Sequence, residues 1–242
     1  SISVLNSPEQ RKRLTTLDQG YLDRLAKLDF NAMSIYGKVD YVLLKRNIED
    51  HLLTLSQEEK QYAGVTRYLP FAEKIYDLEK TRRRGVKVDG QQVATTLNEA
   101  AKQVVSITDE VKRIESLDKS EADFGEEAIK GLTTRLKGAF NFYAGYDPLF
   151  SWWVPAPYAR LDSLLGSLGK SIKSKGKLVT TQKEDKSGIR GVPIGQQELI
   201  RQLKTEMIPY TPEELIRLAN QEFAWCDAEL LKASQEMGFG KE

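Results

Sequence analysis

Val93-Ala94-Thr95-Thr96-Leu97-Asn98-Glu99-Ala100-Ala101-Lys102-Gln103-Val104-Val105-Ser106-Ile107-Thr108-Asp109-Glu110-Val111-Lys112-Arg113-Ile114 is the stretch that decides the fold. Its apolar residues Val93, Leu97, Ala100, Val104, Ile107, Val111 and Ile114 step 4-3-4-3-4-3, the heptad spacing of a long packed helix. After a break at Asp118-Lys119-Ser120, the row Phe124, Ala128, Leu132, Leu136 and Ala139 repeats the same kind of spacing. The two rows predict a long antiparallel helical hairpin.

Outward from it the chain keeps a helical period, with start and stop signals between segments. Ser7-Pro8-Glu9-Gln10 and Thr211-Pro212-Glu213-Glu214 each place a hydroxyl N-cap before a proline at the first helical position. Asp89 and Ser120 are further candidate N-caps, and Gly85 and Gly238 stand where helices should end. The predicted helices are 8–30, 39–56, 61–84, 90–117, 121–144, 156–170, 195–207 and 212–237. The fold class is therefore all-α, an array of about eight helices. Residues 1–242 read as one helical domain, with 1–150 and 151–242 as a candidate subdivision.

The helical pattern breaks between Phe140 and Tyr158. There Phe140, Phe142, Tyr143, Tyr146, Phe150, Trp152, Trp153 and Tyr158 crowd together around Gly145-Tyr146-Asp147-Pro148 and Pro155-Ala156-Pro157. The whole chain has only eight Phe, ten Tyr and three Trp, so this is a strong local enrichment. Rings on an irregular segment cannot all face one helix seam, so they either line a groove or pack a small second core. Tyr146, Trp152, Trp153 and Tyr158 are the candidate substrate-binding residues, because their rings suit peptide side chains.

Composition narrows the rest. Lys and Arg number 36 against 35 Asp and Glu, a formal net charge of +1, which argues against a general polyanion-binding surface and hence against nucleic acid. Mean hydropathy of −0.47 and the lack of a long apolar run predict no membrane span. The region 171–194 is basic through Lys173, Lys175, Lys177, Lys183 and Lys186, next to Lys170, and reads as a solvated loop. Gly188-Ile189-Arg190-Gly191-Val192-Pro193-Ile194-Gly195 lacks the spacing and preceding strand of a phosphate cradle and reads as a turn.

No catalytic set emerges from the residues. The single histidine, His51, has Leu55 where a second zinc ligand would stand. The single cysteine, Cys226, lies in the small row Ala219, Cys226, Ala233 of the last helix and reads as a buried packing residue. Glu222, Glu229 and Glu236 recur every seven residues and read as a solvated flank. Arg82-Arg83-Arg84 fits the C-terminal dipole of its helix.

Several segments in order resemble a known family. They are Phe142-Tyr143-Ala144-Gly145-Tyr146-Asp147-Pro148-Leu149-Phe150-Ser151-Trp152-Trp153-Val154-Pro155, then Gly191-Val192-Pro193-Ile194-Gly195 with Leu199, then Glu206-Met207-Ile208-Pro209-Tyr210-Thr211-Pro212-Glu213-Glu214-Leu215. Glu222-Phe223-Ala224-Trp225-Cys226-Asp227, Gly238-Phe239-Gly240, Tyr21-Leu22-Asp23-Arg24-Leu25 and Ile35-Tyr36-Gly37-Lys38-Val39-Asp40-Tyr41 extend the likeness over nearly the whole chain. Together they resemble the domain-of-unknown-function 885 family, placed with the zincin metallopeptidases.

The resemblance implies a helical protein roughly twice this length, with a His-Glu-x-x-His zinc motif downstream of residue 242. This chain carries none of those ligands, so no catalytic residue and no metal ligand transfers to it, and zinc is expected only in a full-length protein. The chain would be an N-terminal half, inactive alone, supplying one wall of a peptide cleft. Its expected partners are the missing catalytic half or a second copy of itself. The family's habits favour the periplasm or cell envelope over the cytoplasm. Competing readings are a non-enzymatic helical interaction module and a hydrolase using a local serine or carboxylate pair.

Overall fold

Three of the four predicted caps, Ser7, Asp89 and Thr211, open helices in this computed structural model, which describes residues 3–4, 6–177 and 194–239. Ser7 accepts from the Gln10 N–H and opens α1 (Pro8–Leu25). Ser34 does the same for α2 (Ile35–Val65), which runs on through residues 57–60, where a break was expected. Ser56-Gln57-Glu58-Glu59-Lys60 contains neither Gly nor Pro, so nothing there stops a helix. The chain turns at Thr66–Tyr68, a single 3₁₀ turn before Pro70, and enters α3 (Ala72–Arg83). Gly85, at φ +66°, closes it in the left-handed region.

Asp89 caps α4 (Gly90–Arg113). The next helix, α5 (Lys119–Ala144), is capped by Asp118, two residues earlier than the expected Ser120, whose own N–H is the donor. A short helix α6 (Pro148–Trp153) and then α7 (Pro155–Ser174) follow. Two-residue segments β1 (Leu117–Asp118) and β2 (Gly176–Lys177) pair in parallel. They tie the ends of α4 and α7 side by side. Beyond residues 178–193, which lie outside the described residues with Lys183, Lys186 and most of the glycine-rich turn, come α8 (Gln196–Thr205) and α9 (Pro212–Glu236). Thr211 and Glu214 form a complete capping box, and Gly238 ends α9 at φ +83°.

The chain is thus all-α, with nine α-helices among the described residues. It divides into two units, Ser1–Thr181 and Gln182–Glu242, so the boundary falls well after residue 150. The reason is α7: it packs along both α4 and α5 and belongs with them.

That also rewrites the hairpin. α4 buries Leu97, Ala100, Val104, Ile107 and Val111 as its row predicts, but mainly against α7, whose Leu161, Leu165, Leu168 and Ile172 are fully buried. The tight antiparallel pair is α5 with α7. On α5 the buried seam is Ala122, Gly125, Ile129, Leu132, Leu136, Ala139 and Tyr143, so Phe124 and Ala128 lie at its margin. Small residues occupy this seam because α7 comes close: a Cβ on Gly125 would stand 3.1 Å from Ile172 Cγ2. Lys173 of α7 also meets Glu126 at 2.7 Å and Asp123 at 3.2 Å. Lys170 and Lys173 are therefore helical, not parts of a loop. The α1–α2 pair and α3 complete the unit, with α2 and α3 both resting on α5.

Candidate functional site

The aromatic window is more ordered than a bare break. Asp147 accepts hydrogen bonds from the N–H groups of Leu149 (2.9 Å) and Phe150 (3.1 Å), so Pro148 begins a helix and the irregular backbone shrinks to a turn. Its rings then divide. Phe150 is fully buried, with Tyr143 5.2 Å and Phe140 6.1 Å away between ring centroids. Phe140 stacks on Tyr158 at 3.9 Å and 4°. The Tyr143 hydroxyl donates to the Val86 carbonyl at 2.9 Å. Tyr158 is thereby a packing residue that joins α7 to α5, and burial pushes its hydroxyl pKa up. Tyr146 and Trp152 point the other way, 85% and 80% exposed, and Trp153 is partly exposed. Tyr158 is thus set apart in its role from the other three candidate residues, whose rings are exposed.

A cavity that the sequence reading did not anticipate lies where α1, α2, α3 and α5 meet. It has a volume of about 240 Å³. Asn6 and Arg11 line it from the start of α1, Glu58, Gln61 and Tyr62 from α2, and Tyr76 from α3. One stripe of α5, Phe124, Ala128, Gly131 and Arg135, forms the facing wall beside Glu127. The 4-3-4 spacing of that stripe was visible in the sequence, and an apolar helix stripe ending on arginine was the available signal. The other walls come from far along the chain, so nothing local announced them.

Arg11 is 5% exposed. Its Nε donates to Glu59 at 2.9 Å, its Nη1 to the Asn6 carbonyl at 3.1 Å, and its guanidinium lies 4.4 Å from the Tyr62 ring centroid. Its Nη2 is shielded from solvent and has no hydrogen-bond partner among the described residues, and the same holds for Arg135 Nε. A shielded charged donor left unpaired costs about 1–3 kcal/mol or more. Tyr62 and Tyr76 both line the cavity, and burial, ahead of nearby charges, raises both hydroxyl pKa values, so both stay protonated at neutral pH. Glu58 and Glu127 make no ion pair among the described residues.

Some charged groups elsewhere have structural partners. The buried Glu79 takes two hydrogen bonds from Arg82, each 2.7 Å, and one from Arg83 at 2.9 Å. The arginine run thus neutralises a buried carboxylate as well as meeting the helix end. His51 Nδ1 sits 2.6 Å from Asp18 Oδ2 on the α1–α2 pair. Among the described residues no group of three or more His, Cys, Asp or Glu side chains is placed to hold a metal ion, and no helix is long and apolar enough to cross a membrane.

In the second unit, α9 buries no residue. Ile216, Phe223, Leu230 and Met237 recur every seven residues and are 62–72% exposed. Cys226 is exposed too, which corrects its reading as a buried packing residue. The small row is real, but among the described residues of its own unit nothing buries it. Glu222, Glu229 and Glu236 are exposed, as a solvated flank should be. A hollow of about 350 Å³ at the α8–α9 elbow is lined by Ile200, Leu203, Ile208, Pro209 and Tyr210 among others.

Comparison with known proteins finds no family model, no curated protein and no solved structure that matches this chain.

Proposed function

We propose that this chain is a non-catalytic helical region of a zinc-dependent peptidase-like protein, of the family its sequence resembles, and that its work is docking and substrate contact. The observation that carries this reading is the bare apolar row of α9, Ile216, Phe223, Leu230 and Met237. A monomeric protein rarely exposes such a continuous stripe unless another surface covers it. In this reading the zinc-bearing half of the same protein covers it. Tyr146 and Trp152, which contribute nothing to the core, supply rings to the peptide cleft, with Trp153 beside them.

The test joins the chain to the reading frame that follows it in its genome. The longer product is expected to bind zinc stoichiometrically and to cleave peptides, whereas residues 1–242 alone do neither. A continuation without His-Glu-x-x-His overturns the reading.

One observation favours the alternative, a helical module that binds a protein partner without enzymatic work. Ile35, Tyr36 and Val39, at the start of α2, are exposed as well. Under that alternative, Ile35→Ser with Tyr36→Ser abolishes partner capture, and peptide cleavage by a longer product is absent.

A further inference from the structure

We propose that the cavity between α1, α2, α3 and α5 binds a small zwitterion, an amino acid with an apolar side chain, whose carboxylate meets Arg11 and Arg135 and whose ammonium meets Glu58 and Glu127. The proposal goes beyond the peptidase reading and does not rest on it.

The first argument is the pair of unsatisfied donors. Arg11 and Arg135 line one cavity, and Arg11 Nη2 and Arg135 Nε lie out of solvent with no hydrogen-bond partner among the described residues. A carboxylate has two oxygens and supplies the acceptors that both donors lack. Arg11 is also held rigid, by Glu59, the Asn6 carbonyl and the Tyr62 ring, so little order is lost when a ligand arrives.

Charge pairing gives the second argument. The wall holds Arg11, already paired with Glu59, and Arg135, beside two carboxylates, Glu58 and Glu127, that form no ion pair among the described residues. A zwitterion brings an ammonium to those carboxylates as well as a carboxylate to the guanidinium donors, whereas phosphate or a dicarboxylate would meet Glu58 and Glu127 as like charges. A simple amine would leave the guanidinium donors unpaired.

Size and lining complete it. At about 240 Å³ the cavity is smaller than the roughly 300 Å³ at which sites for drug-sized ligands begin. Phe124, Ala128 and the rings of Tyr62 and Tyr76 offer apolar surface for a side chain. Tyr62 and Tyr76 also bring hydroxyl donors to the lining.

The experiment is calorimetric titration of the whole 242-residue chain with L-phenylalanine and L-leucine. Phenethylamine, 3-phenylpropionate and inorganic phosphate are the comparison ligands. The amino acids are expected to bind, and each comparison ligand to bind at least about tenfold more weakly, the worth of one charge-assisted hydrogen bond. Arg135→Gln and Glu127→Gln, both outside the buried seam of α5, should each weaken phenylalanine binding about tenfold or more without lowering the melting temperature. Trp152→Ala should leave binding unchanged, which separates this cavity from the exposed rings of α6. Absence of amino-acid binding at millimolar ligand overturns the proposal. So does phosphate or phenylpropionate binding as tight as that of phenylalanine, or full affinity in both glutamine variants.

Discussion

Gly90 lies so close to α6 that a Cβ on it would stand 2.8 Å from the Phe150 Cα. The same atom would be 2.8 Å from the Leu149 carbonyl oxygen, so both obstacles are backbone and neither can swing aside. This contact sets how near the first turn of α4 sits to α6, and hence where the rings of α6 are carried. Gly90→Ala should lower stability by about 1–3 kcal/mol. Gly138 sits within α5 with nothing within 4 Å of its would-be Cβ, so Gly138→Ala should gain up to about 1 kcal/mol from helix propensity. Thermal melts of the two variants should therefore move in opposite directions. A neutral Gly90→Ala would mean that α4 and α6 are not in this contact.

Phe150 and Trp152 are two residues apart on one short helix and should behave as opposites. Phe150 is fully buried in the aromatic cluster, and Phe150→Ala should cost about 3–5 kcal/mol. Trp152→Ala should stay within about 0.5 kcal/mol of the parent in chemical denaturation. A large loss from Trp152→Ala would show that its ring packs on something and is not free for a ligand.

Acid should unfold the chain through Glu79. Burial alone would raise its pKa, but the hydrogen bonds and charges of Arg82 and Arg83 outweigh burial and hold it below its ordinary value of 4.5. A depressed carboxylate pKa stabilises the fold at pH values above the unfolded value, and that stability is lost as pH falls through the folded one. Asp123 and Glu126, hydrogen-bonded first to Lys119 and Lys173 respectively, are shifted the same way. Denaturation free energy should thus be level above about pH 5 and decline below about pH 4.5. Glu79→Gln should cost about 1–3 kcal/mol at pH 7 and flatten the acid decline. An unchanged decline in that variant would assign the acid sensitivity to other carboxylates.

Several helix ends were legible because caps are local. Ser7, Asp89, Thr211, Gly85 and Gly238 each act within one turn of chain, and each stands where a helix begins or ends. What faces each helix was not legible. The row Leu97, Ala100, Val104, Ile107, Val111 says which side of α4 is buried but not that α7, more than α5, buries it. On α5 the large Phe124 drew the expected seam toward itself, whereas close approach by α7 selects Ala122 and Gly125. The six residues of α6 are too few to show a helical period. The arginine cavity draws on four helices, and only its α5 stripe left a mark in the sequence.

Cys226 provides a direct test of the bare face of α9. Its thiol is exposed between Ala219 and Ala233 on a helix that buries nothing. A thiol reagent should therefore label it in the native chain at close to the rate of the denatured chain. Burying one large apolar side chain is worth about 1.5–3 kcal/mol, so a stripe of four should drive association of the isolated chain at high concentration. Phe223→Glu with Leu230→Glu should weaken that association at least about tenfold without lowering the melting temperature, since neither residue is buried. Sedimentation and labelling can be read on the same samples. Association through α9 should slow labelling of Cys226 as concentration rises, and the double variant should restore the fast rate. A chain that stays monomeric and labels fast at every concentration would mean that α9 needs no cover, and the docking role proposed for it would fall.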